Sequence, residues 1–166
     1  LGDDAWFFGS GYPTLLDLPA PNLFVYPREA VVAEKLEAIV VLGDRNSRIK
    51  DYFDLYHLAD SFEFDRLTLS EAVRRTFARR GTPIPPEPPI GLSRTYWENP
   101  SRPAQVRAFA RRARLDVAAS FPEDCSRLLA DFLGPLLEDL RRGESDSGTW
   151  SPRGPWGPAP PPRRGA

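Results

Sequence analysis

The chain has no methionine, one cysteine, one histidine and two lysines in 166 residues. Each shortage excludes something. A single cysteine, Cys125, rules out an internal disulfide and fits a reducing, cytoplasmic setting, where a lone thiol serves equally as a small buried hydrophobe. A single histidine, His57, cannot build a His-rich metal site and lends no support to a Ser-His-Asp triad. It reads as a residue making local contacts on its own helix. No apolar run approaches the roughly 18 residues of a membrane helix, and no signal peptide opens the sequence, so neither spanning nor export is indicated. The net charge of −1 excludes nothing as a total.

The shortage of lysine says more. The 22 cations are two lysines and 20 arginines, a skew that reads as GC-rich coding bias. Against it, Lys35 and Lys50 mark places that want a compact ammonium on a flexible stem rather than a planar fork. In YPREAVVAEKLEAIVVLG the residues Val31, Val32, Leu36, Ile39 and Leu42 recur at helical spacing. At about 100° per residue, Lys35 falls in the middle of that stripe, with Glu34 and Glu37 on the other side. Two accounts of a core-facing cation stand: its stem snorkels past apolar surface to water, or it is paired or functional. A partner follows in NSRIKDYFDLYHLAD, a helix starting at Asn46 or Ser47 and running to about Asp60. Asp51 and Asp54 share one face, Arg48 reaches Asp51 at i+3, and Lys50 reaches Asp54 at i+4. The short LGDRNS connection allows two antiparallel helices to set Lys35 opposite this acidic pair.

These residues also carry a family resemblance. YPREAVVAEKLEAIVVLGDRNSRIKDYFDLYHLA resembles the latter motifs of the AbiEii/AbiGii toxin family of nucleotidyltransferase-like proteins: a YPRE lead, an AEKL helix and an NSR-x-KD-x-x-D helix. The resemblance extends through YPTLLDLPAP upstream, RRGTP-x-PPEPP downstream and a final W-x-P-x-GPW. It implies a mainly α fragment, the C-terminal helical part of an α+β nucleotidyltransferase-like fold. For an intact member it implies transfer of a nucleotide from a triphosphate (NTP) with Mg²⁺, in some relatives onto tRNA, under control of a cognate antitoxin. Lys35 matches the AEKL lysine, implied to meet triphosphate oxygens or neutralise developing charge. Asp51 and Asp54 match the KD-x-x-D carboxylates, one orienting Lys35 or positioning the attacking hydroxyl. Arg48 and Lys50 help hold phosphates.

The family also begins with a Gly-Ser turn followed by a D-x-D pair that holds metal and triphosphate. The only Gly-Ser here is Gly9-Ser10, and no D-x-D follows it; Asp3-Asp4 lies before it. With methionine absent as well, the expectation is a C-terminal portion of a longer protein. Its nucleotidyltransferase core is then missing, it carries no metal ligands of its own, and it shows no turnover alone. The alternative is a non-catalytic RNA- or protein-binding remnant, whose Leu128–Leu140 face packs on an absent N-terminal domain or a partner.

Three regions are expected. Residues 1–27 read as an irregular or short-strand lead, with Tyr12, Leu15, Leu16, Leu23, Phe24 and Val25 available to pack. Residues 28–142 read as helical. Residues 143–166 read as a disordered Pro/Gly/Arg-rich tail, apart from anchoring by Trp150 and Trp156. Within the helical part, Thr68 with Glu71 forms a capping box and Gly81 a stop. Five prolines hold residues 82–90 extended, and a helix spans about Pro103–Leu115. Another starts near Ser120 with Glu123 as its capping partner, kinked at Gly134-Pro135. Between Arg74 and Arg114 stand ten arginines against two acids, Glu87 and Glu98. These cations form two helical rows with Tyr96 and Trp97 between them. Such rows suit a phosphate backbone and splayed bases, or are simply a solvated face. Arg107, Arg111 and Arg114 are the candidate RNA-binding residues.

Overall fold

The computed structural model describes residues 26–144 and 146–158. Apart from Tyr26 and Pro27, the lead over 1–27 lies outside the described residues. From there the chain is mainly helical, with one small sheet.

Helix α1 spans Arg28–Leu42, entered from Pro27, with Glu29 in its first turn against the positive end of the helix dipole. It stops at Gly43, whose φ of 54° suits a residue without a Cβ. Val32, Ala33, Leu36 and Ile39 are fully buried. The helix packs most extensively along α3 (Arg66–Arg80) and also meets α2 (Ile49–Ser61). Being covered on two flanks corrects one expectation. Glu37 is buried instead of facing water, and its carboxylate accepts from Arg80 Nη1 and Thr82 Oγ1, both at 2.6 Å. A carboxylate can be buried there because both its oxygens are satisfied.

The start of α3 also differs from the capping box. Asp65 is the N-cap, its Oδ1 accepting from Thr68 N at 2.8 Å and Thr68 Oγ1 at 2.7 Å. Strand β1 (Phe64–Asp65) pairs with β2 (Thr149–Trp150), which keeps the backbone extended up to Asp65 and makes that residue the first able to cap. The stop at Gly81 is as expected, at φ 67° with Thr82 N donating to Phe77 O. Residues 82–89 then run without helix to a 3-10 turn, Ile90–Leu92. There the backbone crosses α1 and α2 so closely that a Cβ on Gly91 would meet Ile39 Cγ2 at 2.5 Å and Tyr52 Oη at 2.8 Å.

After a short α4 (Arg94–Trp97) and α5 (Arg102–Ala113), the 22-residue α6 (Phe121–Arg142) closes the core. Ser120 makes no side-chain cap; instead Ser126 Oγ donates to the Glu123 carbonyl. Pro135 sits inside a helix that continues to Arg142. Leu128, Leu129, Phe132, Leu133, Leu136 and Leu137 are all buried, against α2, α3 and α4. The apolar face assigned to an absent domain or partner is therefore used within this chain, which removes that basis for the interaction-module reading.

Over 146–158 the tail is anchored at the two expected tryptophans, through a small sheet. Strand β2 pairs antiparallel with both β1 and β3 (Trp156–Gly157), setting Phe64 opposite Trp150 and Trp150 opposite Trp156. Trp150 is fully buried, and its indole N–H donates to the Ala59 carbonyl at 2.7 Å. Trp156 donates to the Phe132 carbonyl at 2.9 Å and stacks on the Phe132 ring. Two indoles with satisfied N–H groups outweigh the low helix and strand propensity around them.

Candidate active site at the α1–α2 ion cluster

The connection from α1 to α2 positions the charged residues. Buried Asn46 ends it as an Asx-type turn, its Oδ1 accepting from Arg48 N at 2.9 Å, and α2 begins only at Ile49. The Asn46 carbonyl accepts from Tyr96 Oη at 2.7 Å and Arg102 Nη1 at 2.8 Å. Arg102 is itself 3% exposed. Its Nε donates to the Tyr96 carbonyl, its Nη2 reaches the Asp44 carbonyl, and its guanidinium lies over the Tyr96 ring. Sequence reasoning missed Arg102, one of 20 arginines, because no local pattern separates a buried guanidinium from a solvated one.

With that turn clamped, α1 and α2 face each other across Lys35. Its Nζ stands 2.9 Å from Asp51 Oδ1 and 2.7 Å from Asp54 Oδ2, with the three side chains only 10–16% exposed. Lys50 Nζ lies 3.0 Å from the same Asp54 oxygen, and Arg48 Nη1 4.0 Å from Asp51 Oδ2. The structure thus brings Lys35, Asp51, Asp54, Lys50 and Arg48 into one cluster. Burial pulls the Lys35 pKa down, but hydrogen bonds to Asp54 and Asp51 outweigh it and leave the ammonium above its ordinary value. An ammonium has three donors. Two point to carboxylates here, which leaves one for a ligand oxygen.

A divalent cation does not fit this set. The position between the two carboxylates belongs to Lys35, and among the described residues no three His, Cys, Asp or Glu side chains gather as a metal site.

Beside the cluster, an open groove of about 750 Å³ separates α2 from α5. Arg48, Lys50 and Asp51 form one wall, and Gln105, Phe109 and Arg112 the other. Arg112 belongs to the arginine row anticipated from sequence, but nothing there assigned it to a site. The candidate RNA-binding residues Arg107 and Arg111 fall on the opposite side of α5 from Gln105, Phe109 and Arg112 at about 100° per residue, and Arg114 caps the end of that helix at φ 54°. All three are exposed. The side chains of these three and of Arg112 have no ion pair or hydrogen bond among the described residues.

The other arginine row behaves differently. Arg74 and Arg75 bind Glu71, Arg79 binds Glu34, and Arg80 binds Glu37. These four cations are largely spent on acids of α1 and α3. Tyr96 and Trp97, expected as exposed stacking platforms, are buried against Tyr52 and the α6 core. That expectation is corrected: aromatics near arginines here fill the interior.

A family model described as nucleotidyl transferase AbiEii toxin, Type IV TA system, matches residues 10–141. No curated protein and no solved structure matches the chain. No helix among the described residues is long and apolar enough to cross a membrane.

Proposed function

Because the chain belongs to the AbiEii nucleotidyl transferase toxin family, we propose that it carries the lysine–aspartate part of a nucleotide-transfer site. The observation that carries the reading is the ion cluster spanning α1 and α2, which holds one ammonium between two carboxylates at 2.9 and 2.7 Å. Lys35 offers its remaining N–H to a phosphate oxygen of the triphosphate and offsets the charge that develops there. Asp51 and Asp54 fix the ammonium, and one of them positions the attacking hydroxyl. Arg48 and Lys50 hold phosphates at the rim. The triphosphate's metal-holding pair is assigned to a Gly-Ser and D-x-D core that these 166 residues do not contain, and a toxin of this type implies a cognate antitoxin.

The first test uses the chain with Mg²⁺, each labelled nucleoside triphosphate and tRNA. No incorporation into RNA is the expected result for the chain alone. Clear incorporation by a pure sample would show that carboxylates in this chain replace the D-x-D pair.

The proposed acceptor is RNA such as tRNA, supported by the exposed Arg107 and Arg111 of α5 and Arg114 at its end, whose side chains meet no acid among the described residues. Binding should be weak, indifferent to sequence and steep in salt. The slope of log affinity against log salt should shrink by roughly 2 to 3 when Arg107, Arg111 and Arg114 are changed together to Ser. A folded sample that binds no tRNA-sized RNA at about 50 mM salt would return these residues to an ordinary solvated face. A non-catalytic RNA-binding role rests on the same arginines. It is separated from the transfer reading by whether Lys35→Ala matters once the segment is joined to a catalytic core.

A further inference from the structure

We propose that the groove between α2 and α5 seats the phosphate of a nucleotide, and that Arg112 is the residue that grips it from the α5 side. Three cations, Arg48, Lys50 and Arg112, border this groove with the carboxylate Asp51. Lys50 Nζ lies 3.0 Å from Asp54 and Arg48 Nη1 4.0 Å from Asp51, so of the three only Arg112 meets no acid among the described residues. Asp51 is itself already held, with Lys35 Nζ 2.9 Å from its Oδ1. With Lys35 and Lys50 set against Asp51 and Asp54, Arg48 at the start of α2 and Arg112 on α5 leave the groove and the adjoining cluster positive.

Arg112 is the distinctive member. The four α3 arginines between Arg74 and Arg80 each meet a glutamate, whereas Arg112 is exposed and meets no acid among the described residues. A guanidinium fork with all its donors free matches two phosphate oxygens at once. Between the cations, Phe109 and the methyls of Ala108 and Ala113 give an apolar strip. A volume of about 750 Å³ lies within the range of small-molecule sites. Charged rim and apolar strip together suit a nucleotide, phosphate on the cations and sugar or base on the carbons.

The inference rests on the nucleotide-transfer reading and extends it. Asp51 is shared by the groove and the Lys35 cluster, so a phosphate gripped there lies next to the proposed site. Two sources offer the same chemistry: a free triphosphate and the end of an RNA strand. Arg107, on the opposite face of the same helix and itself a candidate RNA contact, is a charge control for the ATP probe, since its loss removes the same charge without touching the groove.

The test is equilibrium binding by the whole chain of ATP without metal, and of a labelled single-stranded RNA of about a dozen nucleotides, a length within ordinary single-strand site sizes. Arg112→Ala and Arg107→Ala are compared after circular dichroism shows both folded. Arg112→Ala should weaken binding of at least one probe about tenfold, the scale of losing a charge-assisted pair. Arg107→Ala should leave ATP binding unchanged and lower RNA affinity only through its salt dependence. Loss confined to ATP makes the groove a donor seat, loss confined to RNA makes it an acceptor seat, and loss of both makes it a seat for either. Wild-type chain that binds neither probe, Arg112→Ala that weakens neither, or Arg107→Ala that weakens every affected probe as much as Arg112→Ala does, overturns the inference. The transfer reading fails separately, if Lys35→Ala leaves nucleotide incorporation intact in a protein that joins this segment to a catalytic core.

Discussion

Lys35→Arg should abolish nucleotide incorporation almost as completely as Lys35→Ala when this segment is joined to a core with Gly-Ser and D-x-D. A loss of about 100- to 1000-fold is expected for each, the scale of removing one preorganised charge partner. The two variants should part company in stability. Alanine leaves Asp51 and Asp54 side by side, 15% and 10% exposed, without the ammonium between them, which costs about 1–3 kcal/mol. Arginine keeps the charge and most of that stability. Its wider planar fork cannot satisfy two carboxylates 2.7 and 2.9 Å from one nitrogen and still present a donor to phosphate. Denaturant unfolding and an incorporation assay on the same two proteins separate the effects. Full activity in the arginine variant would make Lys35 a structural ion-pair residue. Because the folded-state pKa is raised above 10.5, the pair's contribution is complete below that value and is lost only as pH climbs through the folded pKa. Neither variant should therefore differ from wild type in the shape of its pH–stability curve near neutrality.

Trp150→Ala should destabilise the fold by about 3–5 kcal/mol, the cost of truncating a large buried aromatic. The ring is fully buried, 4.9 Å from the centroid of Phe132, and its N–H satisfies the Ala59 carbonyl. Truncation opens a cavity, strands that carbonyl and removes the middle strand's contact with α2 and α6. Trp156→Ala should cost less, since Trp156 is only partly buried. Unfolding followed by urea titration measures both. A Trp150→Ala variant with the wild-type midpoint would mean that residues 146–158 contribute nothing to the stability of the helical part, as the composition of that stretch had suggested.

How much of this was legible beforehand depended on how local the deciding interaction was. The α1 and α2 helices follow from the spacing of their apolar residues. Asp51 and Asp54 had to share a face, being three residues apart. A connection of only a few residues made an antiparallel meeting with Lys35 the natural geometry. The motif residues around them also carried the family resemblance. Caps were less legible, because Thr68 and Ser120 are equally good in isolation. A strand pairing at Asp65 decided the first, and at the second the helix starts without any side-chain cap.

By itself, the amino-acid sequence determined the mainly helical class and the Lys35–Asp51–Asp54 grouping, through periodicity over one or two helices, and the family through the resemblance of its motifs. Only the tertiary structure decided which way the remaining charges and aromatics face. Glu37 is buried because α3 covers a flank of α1 that the stripe left open. Tyr96 and Trp97 turn inward because α4 lies on α6, and the α3 arginines are consumed by acids up to 45 residues distant in sequence. Arg102 and Arg112 acquire different roles on one helix, a buried clamp and a free fork at a groove. The physical reason is common to all of them. Helical spacing determines which residues share a face, but the burial and partners of that face come from packing against elements far away in the chain.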